Sequence, residues 1–275
     1  MTTNVAEQKS RGIPVSDEKE IPVVNAQIVV NADDYGGSHS LNMAILESFN
    51  LGTISSTTLM CNMPGFEEAV QLAYDNKITD RIGIHLNMTE YKPLSEKILK
   101  LPKFVDKEGQ LYKSFKGQIL SWQEKVAAYE ELQAQIDRFK SKGFSPSHID
   151  THHHFHFYID SNKIIRELAR KNNIPAIRIR FNYGKMSIQA KMFSKYLNSG
   201  AKRDGLAKTK YFCEIRSVDS KLLSYKKPIE VMVHPVYNEE NVILNYVNGL
   251  VYGDLVKKHL PVRNFITYDF LNKQS

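Results

Sequence analysis

Five short segments of this chain each run from apolar or β-branched residues into a side chain that can bind a metal or move a proton. They close in Asn31-Ala32-Asp33-Asp34-Tyr35-Gly36, Ile84-His85, Asp150-Thr151-His152-His153-His154, Arg178-Ile179-Arg180 and Val233-His234-Pro235. Two histidines and one aspartate leave coordination positions open for water and substrate, which is the ligand chemistry of a hydrolytic divalent-metal site. A β/α barrel carries the C-terminal end of every strand to one face, so such residues meet there although they are distant in sequence.

Each segment has its own logic. Asp33 and Asp34 are adjacent, so on a regular strand they would face opposite ways. At a strand-to-loop junction they take different jobs, one binding metal and the other accepting a proton from water. Five of the nine histidines lie between His148 and His156. By alternation His148, Asp150 and His152 share one strand face, an arrangement costly inside a barrel unless paired or metal-bound. Asp150 is then the natural partner to orient a ligand imidazole. His152 and His156 stand at helical spacing but lack the glutamate of a helical zinc motif. His234 is followed by Pro235, which stops the strand and aims the imidazole into the mouth, a position suited to a general acid. Arg178 or Arg180 can hold a carboxylate base through bidentate hydrogen bonds.

The elements between these segments alternate. Ala26–Val30 reads as a buried parallel strand, Gly36-Gly37 as a turn, and Ser38 or Ser40 as a helix cap. Further strands are expected at Ile54–Cys61, Arg81–Met88, His148–His152, Ala176–Arg180, Glu230–His234 and Phe265–Tyr268. Trp122, Val126, Tyr129, Leu132, Ile136 and Phe139 recur at spacings of three and four, marking a long amphipathic helix. Residues 89–120 interrupt the rhythm with prolines, glycines and the aromatics Tyr91, Phe104, Tyr112 and Phe115, a long excursion of the kind that serves function. Residues 183–210 read as a basic helical insertion. The pattern predicts one α/β domain, a distorted (β/α) barrel of about seven parallel strands, spanning 23–275 behind a flexible extension at 1–22.

Composition bounds the rest. The chain has 275 residues, 42% of them hydrophobic, which is ample for a core. No run approaches the ~18 apolar residues of a membrane span, and the first twenty residues lack the apolar centre of a signal peptide, so a cytoplasmic location is expected. Cys61 and Cys213 are the only cysteines, which excludes a disulfide framework and a cysteine zinc site. Net charge is +7, but residues 161–230 hold 17 Lys/Arg against 5 Asp/Glu. A solvated helical face accounts for this. Attraction to an anionic partner, with Phe181, Tyr183, Phe193, Tyr196, Tyr211 and Phe212 stacking on bases or sugars, is the sharper alternative. No nucleic-acid motif accompanies the charge, so nucleic acid ranks last among partners.

Taken together, Val-Asn-Ala-Asp-Asp-Tyr-Gly, Gly-Thr-Ile-Ser-Ser-Thr-Thr-Leu-Met, Ile-Gly-Ile-His-Leu-Asn, Ser-His-Ile-Asp-Thr-His-His-His-Phe-His and Val-Met-Val-His-Pro resemble the YdjC-like carbohydrate deacetylases. The resemblance runs from about residue 27 to the C-terminus and departs at 95–120 and 183–225. It implies a barrel related to polysaccharide-deacetylase folds that removes acetyl groups from N-acetylated sugars, chitin-derived disaccharides among them, with one divalent metal. It further implies Asp34, His85 and His152 as metal ligands, Asp33 as base and His234 as acid. Asp150, His154, Arg180 and Tyr35 are the weaker suggestions for supporting ligands or touching substrate.

Mixed Asp/His ligation suits Zn²⁺, while Mg²⁺, Co²⁺, Mn²⁺ and Ni²⁺ remain open, as do the natural sugar and a homodimeric state. Two other readings stay in view: a metal-dependent phosphoesterase on a similar barrel, and a non-catalytic glycan- or polyanion-binding module.

Overall fold

The computed structural model describes residues 26–114, 119–261 and 265–272. The expected extension at 1–22 lies outside them, as do Phe115 and Gly117.

A parallel sheet forms the centre. In chain order the elements are β1 (Ile28–Tyr35), α1 (His39–Asn50), β2 (Ser56–Leu59), α2 (Phe66–Asp75), β3 (Ile82–Leu86), α3 (Trp122–Ser141), β4 (Ile149–Thr151), α4 (Ile159–Lys171), α5 (Ile188–Arg203), β5 (Tyr211–Glu214), α6 (Ser220–Leu223) and β6 (Ile229–Val233). The chain closes with β7 (Pro235–Tyr237), β8 (Ile243–Asn245), β9 (Leu250–Val251), α7 (Tyr252–His259) and α8 (Tyr268–Asn272). Strands β1 to β6 pair in the order β4-β3-β2-β1-β6-β5, all parallel. Short polar caps start the helices: Ser38 Oγ accepts from the Leu41 amide, and Ser121 forms a capping box with Glu124.

Six strands are regular where about seven were expected. The segment after Pro175 occupies the seventh place, joined to β4 through Ile149↔Ile177 and to the approach of β5 through Ala176↔Ala207. Proline has no amide hydrogen, and the pairing reduces to isolated bridges that close a distorted barrel. Phe265–Tyr268 is not a strand either. Only Phe265 pairs, with Ile28, and Tyr268 already begins α8.

Alternation sorts the strand side chains into two cores. Ile28, Val30 and Ala32 join Ile82, Ile84, Leu86, Ile229, Val231 and Val233 in the layer under the helices. The opposite face of the same strands, inside the barrel, carries Asn31, Asp33, Thr58, His85, Asp150, Arg178 and Glu230, all buried. A polar barrel interior is unusual, and these groups bond to one another, with Asn31 Oδ1 left without a partner. Gly83 on β3 makes this possible, since a Cβ there would lie 2.4 Å from the His148 ring. His148 in turn stacks on Tyr268 with centroids 3.6 Å apart.

Strands β7, β8 and β9 form a small antiparallel sheet that the sequence pattern did not announce. Pro235 ends β6 after His234 and starts this sheet. No helix among the described residues is long and apolar enough to cross a membrane.

Candidate active site

At the C-terminal ends of β1, β3 and β4 three side chains converge. Asp34 Oδ1 lies 3.1 Å from His85 Nε2 and 2.8 Å from His152 Nδ1. All three are buried, and their donor atoms fall within 4.8 Å of one another. A β-bulge explains how neighbouring aspartates both reach the mouth. The β1–β2 register shifts between Ala32 and Tyr35, and Asp34 adopts φ 71, a left-handed conformation that aspartate tolerates. The same bulge turns Tyr35 away. Its ring is buried in the helix-side core and its hydroxyl donates to the Ala69 carbonyl at 2.8 Å, so Tyr35 is corrected from site residue to core residue.

His152 stands beyond β4, in a short 3₁₀ segment where His153 and His154 both take positive φ. The expected His-Asp-His row therefore holds His148 and Asp150 inside the barrel, with His152 at its rim. Each ligand-like imidazole has a carboxylate on its other nitrogen. Asp150 Oδ1 meets His85 Nδ1 at 2.7 Å, and Glu90 Oε2 meets His152 Nε2 at 3.0 Å. Burial alone would lower the His85 imidazole, but Asp150 and Asp34 overrule it and push it up to about 10. His152 goes up to about 9 against its own burial, through Asp34 and Glu90. Burial likewise opposes ionisation of Asp34, yet His152 and His85 hold it well below the usual carboxylate range. The pocket thus draws positive charge. One carboxylate and two imidazoles with converging donors fit a divalent cation in that place.

Asp33 occupies the neighbouring position. Both of its oxygens are taken by Arg178, at 2.6 and 2.7 Å, and Oδ1 also accepts from Asn31 Nδ2 at 2.9 Å. Although burial works the other way, Arg178 holds this carboxyl far below its ordinary value. The arginine on the carboxylate is Arg178, not Arg180. Arg178 lies level with β4 inside the barrel, where it also reaches Asp150 at 2.7 Å and Glu230 at 2.6 Å. Arg180, two residues further on, has risen past the interior and lies over the rings of Phe157 and Phe193 at 5.1 and 5.3 Å. His234 Nε2 stands 3.9 Å from Asp33 Oδ2, its backbone held by Asn245 Oδ1 at 3.1 Å.

His154 stacks on Phe157 at 4.4 Å and meets Phe181 edge-on at 4.8 Å; burial brings its imidazole down to about 3, so it is neutral. His154 Nδ1, His234 Nδ1 and Arg180 Nε are three of the eleven buried side-chain atoms among the described residues that have no hydrogen-bond partner. Such atoms are costly to leave unmade and are expected where a ligand completes them.

The expected sugar-covering aromatics divide. Tyr91 and Tyr112 are 41% and 43% exposed, whereas Phe104 is only 2% exposed and belongs to the core. Phe181 and Phe212, expected to stack on a partner, stack on each other at 4.5 Å. Glu90 went unrecognised in the sequence, because nothing local to Thr89-Glu90-Tyr91 signals a contact with His152.

The YdjC-like protein family model matches residues 27–255. The chain belongs to this family. Among its relatives, the carbohydrate deacetylase of Halalkalibacterium halodurans is 32% identical over 86% of this chain and 95% of its own. That of Geobacillus stearothermophilus is 32% identical over 76% of this chain and 79% of its own. The crystal structure of an Enterococcus faecalis V583 protein, described as a candidate cellobiose-phosphate cleavage protein, superposes with a TM-score of 0.66 at 23% identity. It covers 90% of this chain and 99% of its own, and it establishes the likeness of fold.

Proposed function

We propose that this YdjC-like protein hydrolyses the acetamide of N-acetylated sugars at the Asp34–His85–His152 cluster with the help of one divalent cation. The observation that carries the reading is the pairing of two side-chain groups at one end of the sheet. A triad of one carboxylate and two imidazoles with converging donor atoms adjoins an arginine-held carboxylate 3.9 Å from a histidine. The names of the relatives, carbohydrate deacetylases from several bacteria, support the substrate class.

Asp34 Oδ1, His85 Nε2 and His152 Nδ1 would hold the ion. When bound, it supplies a polarised acetyl carbonyl and a water of lowered pKa. The chain does the rest. Asp33, ionised and fixed by Arg178, accepts the proton of the attacking water. Arg178 lowers its basicity while aiming both lone-pair edges, so it suits a proton that has already been made acidic. His234 gives a proton to the sugar nitrogen, since an amide anion is too poor a leaving group. His154 and Arg180, with unpartnered polar atoms, line the mouth for the sugar. The donor set suits Zn²⁺ best, with Mg²⁺, Co²⁺, Mn²⁺ and Ni²⁺ the alternatives.

Acetate release from diacetylchitobiose by chelator-stripped protein, with and without each ion, tests this. Release that returns on adding metal is expected. Metal binding without release, accompanied by turnover of p-nitrophenyl phosphate, would replace the deacetylase with a phosphoesterase.

A further inference from the structure

Glu90 approaches the cluster from the loop after β3, and that loop is built around it. The Glu90 carbonyl accepts Asn87 Nδ2 at 2.8 Å and Asn62 Nδ2 at 3.2 Å. Asn87 is itself clamped by Gln135 of α3: its amide donates to Gln135 Oε1 at 2.8 Å, and Gln135 Nε2 donates back to its carbonyl at 2.7 Å. Asn62, Asn87 and Gln135 are all buried. A satisfied buried amide network of this kind fixes geometry more than it adds stability. Tyr91 follows at φ 64, a conformation a bulky residue adopts at a cost and keeps only where its surroundings dictate it. The outcome is a glutamate whose side chain is 37% exposed and yet delivers one oxygen to His152 Nε2 at 3.0 Å.

An imidazole with a carboxylate against Nε2 carries its proton there and leaves the Nδ1 lone pair for a metal. His152 Nδ1 is the atom beside Asp34. His85 is arranged in mirror image, with Asp150 against Nδ1 and Nε2 toward Asp34. His153 braces the arrangement, its ring 3.9 Å from that of His152 and its Nδ1 bonded to Thr89 Oγ1 at 2.9 Å. We infer that Glu90 is the positioning residue of His152, fixing it as an Nδ1 donor to the cation. The ion is then held by two imidazoles, each oriented by a carboxylate of its own. This rests on the metal reading proposed above.

The test compares metal-stripped wild type, Glu90→Ala and Glu90→Gln. Each is titrated with Zn²⁺ against a chelating indicator and with Co²⁺ by visible absorption, and thermal unfolding is followed in excess chelator. The frame is built on the backbone carbonyl of Glu90, so the stripped variants keep the fold and unfold in one cooperative transition, lowered only by the lost Glu90–His152 contact. Glu90→Ala binds about 10–100-fold more weakly with an altered Co²⁺ spectrum. Glu90→Gln, whose amide oxygen still accepts from Nε2–H, recovers most of the affinity. Wild type that binds neither ion overturns the metal reading itself. Wild type that binds, with Glu90→Ala equal to it in affinity and spectrum, overturns the role of Glu90 alone. Two ions per wild-type chain, one of them lost in Glu90→Ala, would make Glu90 a ligand together with His152 and His153, which also overturns the inference.

Discussion

Arg178 grips both carboxylate oxygens of Asp33, at 2.6 and 2.7 Å, across 145 residues of sequence. The same guanidinium meets Asp150 and Glu230, so one buried cation serves three buried carboxylates. Through Asp150 it is one step from His85, and through Asp33 it is one step from His234. The two halves of the site are therefore coupled through a single residue.

Removing that cation leaves buried carboxylates uncompensated. Arg178→Ala is expected to lose about 3–5 kcal/mol of stability in urea unfolding. Arg178→Lys keeps charge without the planar fork, so it is expected to fold and to bind metal while turnover falls. Wild-type turnover in Arg178→Lys would show that the bidentate hold on Asp33 is not needed.

Metal binding should release protons. In the stripped protein His85 and His152 are protonated up to about 10 and about 9. At pH 7 the ion must displace both, so affinity rises with pH by about two orders of magnitude per unit. Calorimetric titration in buffers of different ionisation enthalpy measures the release directly; a binding enthalpy independent of buffer would contradict it.

The same shifts fix the sign for stability. Both folded values are raised, so the stripped protein gains stability from these histidines below their ordinary 6.5 and loses it as pH rises through about 9 and 10. Chemical unfolding of stripped protein at pH 7 and pH 10 should show the loss. In metal-loaded protein, where the imidazoles are already neutral, the loss should be absent.

Gly83 admits the His148 ring to the barrel interior. Gly83→Ala places a Cβ 2.4 Å from that ring and 2.8 Å from the His148 carbonyl. Overpacking of this kind costs about 1–3 kcal/mol, readable as a lowered denaturation midpoint. An unchanged midpoint would mean that β4 can slide to make room.

The sequence announced those parts of the site that carry a local signal. An apolar run ending in a polar side chain marks a strand end, and this located Asp33, Asp34, His85, Asp150 and His234 in the pocket. Tyr35 was misplaced because the β-bulge that reverses its face depends on pairing with β2, which no local pattern records. Arg178 and Arg180 have the same strand parity, and only the height of the segment in the barrel separates them. Glu90 and Gly83 gain their meaning from His152 and His148, residues more than sixty positions away. The seventh strand and the Phe265 strand failed for a related reason: Ala176, Ile177 and Ile179 are buried and Phe265 is half-buried, but the pairing there stops at single bridges.

The most direct measurement compares metal content and acetate release in wild type, Asp34→Asn and Asp33→Asn, each prepared identically. The two residues are neighbours in sequence, so any general disturbance of the β1 end should affect both alike. The account predicts that Asp34→Asn loses metal and activity together, while Asp33→Asn keeps its metal and loses turnover by about 10²–10⁴-fold. Full activity in metal-loaded Asp33→Asn, or undiminished metal in Asp34→Asn, would contradict the division of the site into a metal-holding and a proton-moving half.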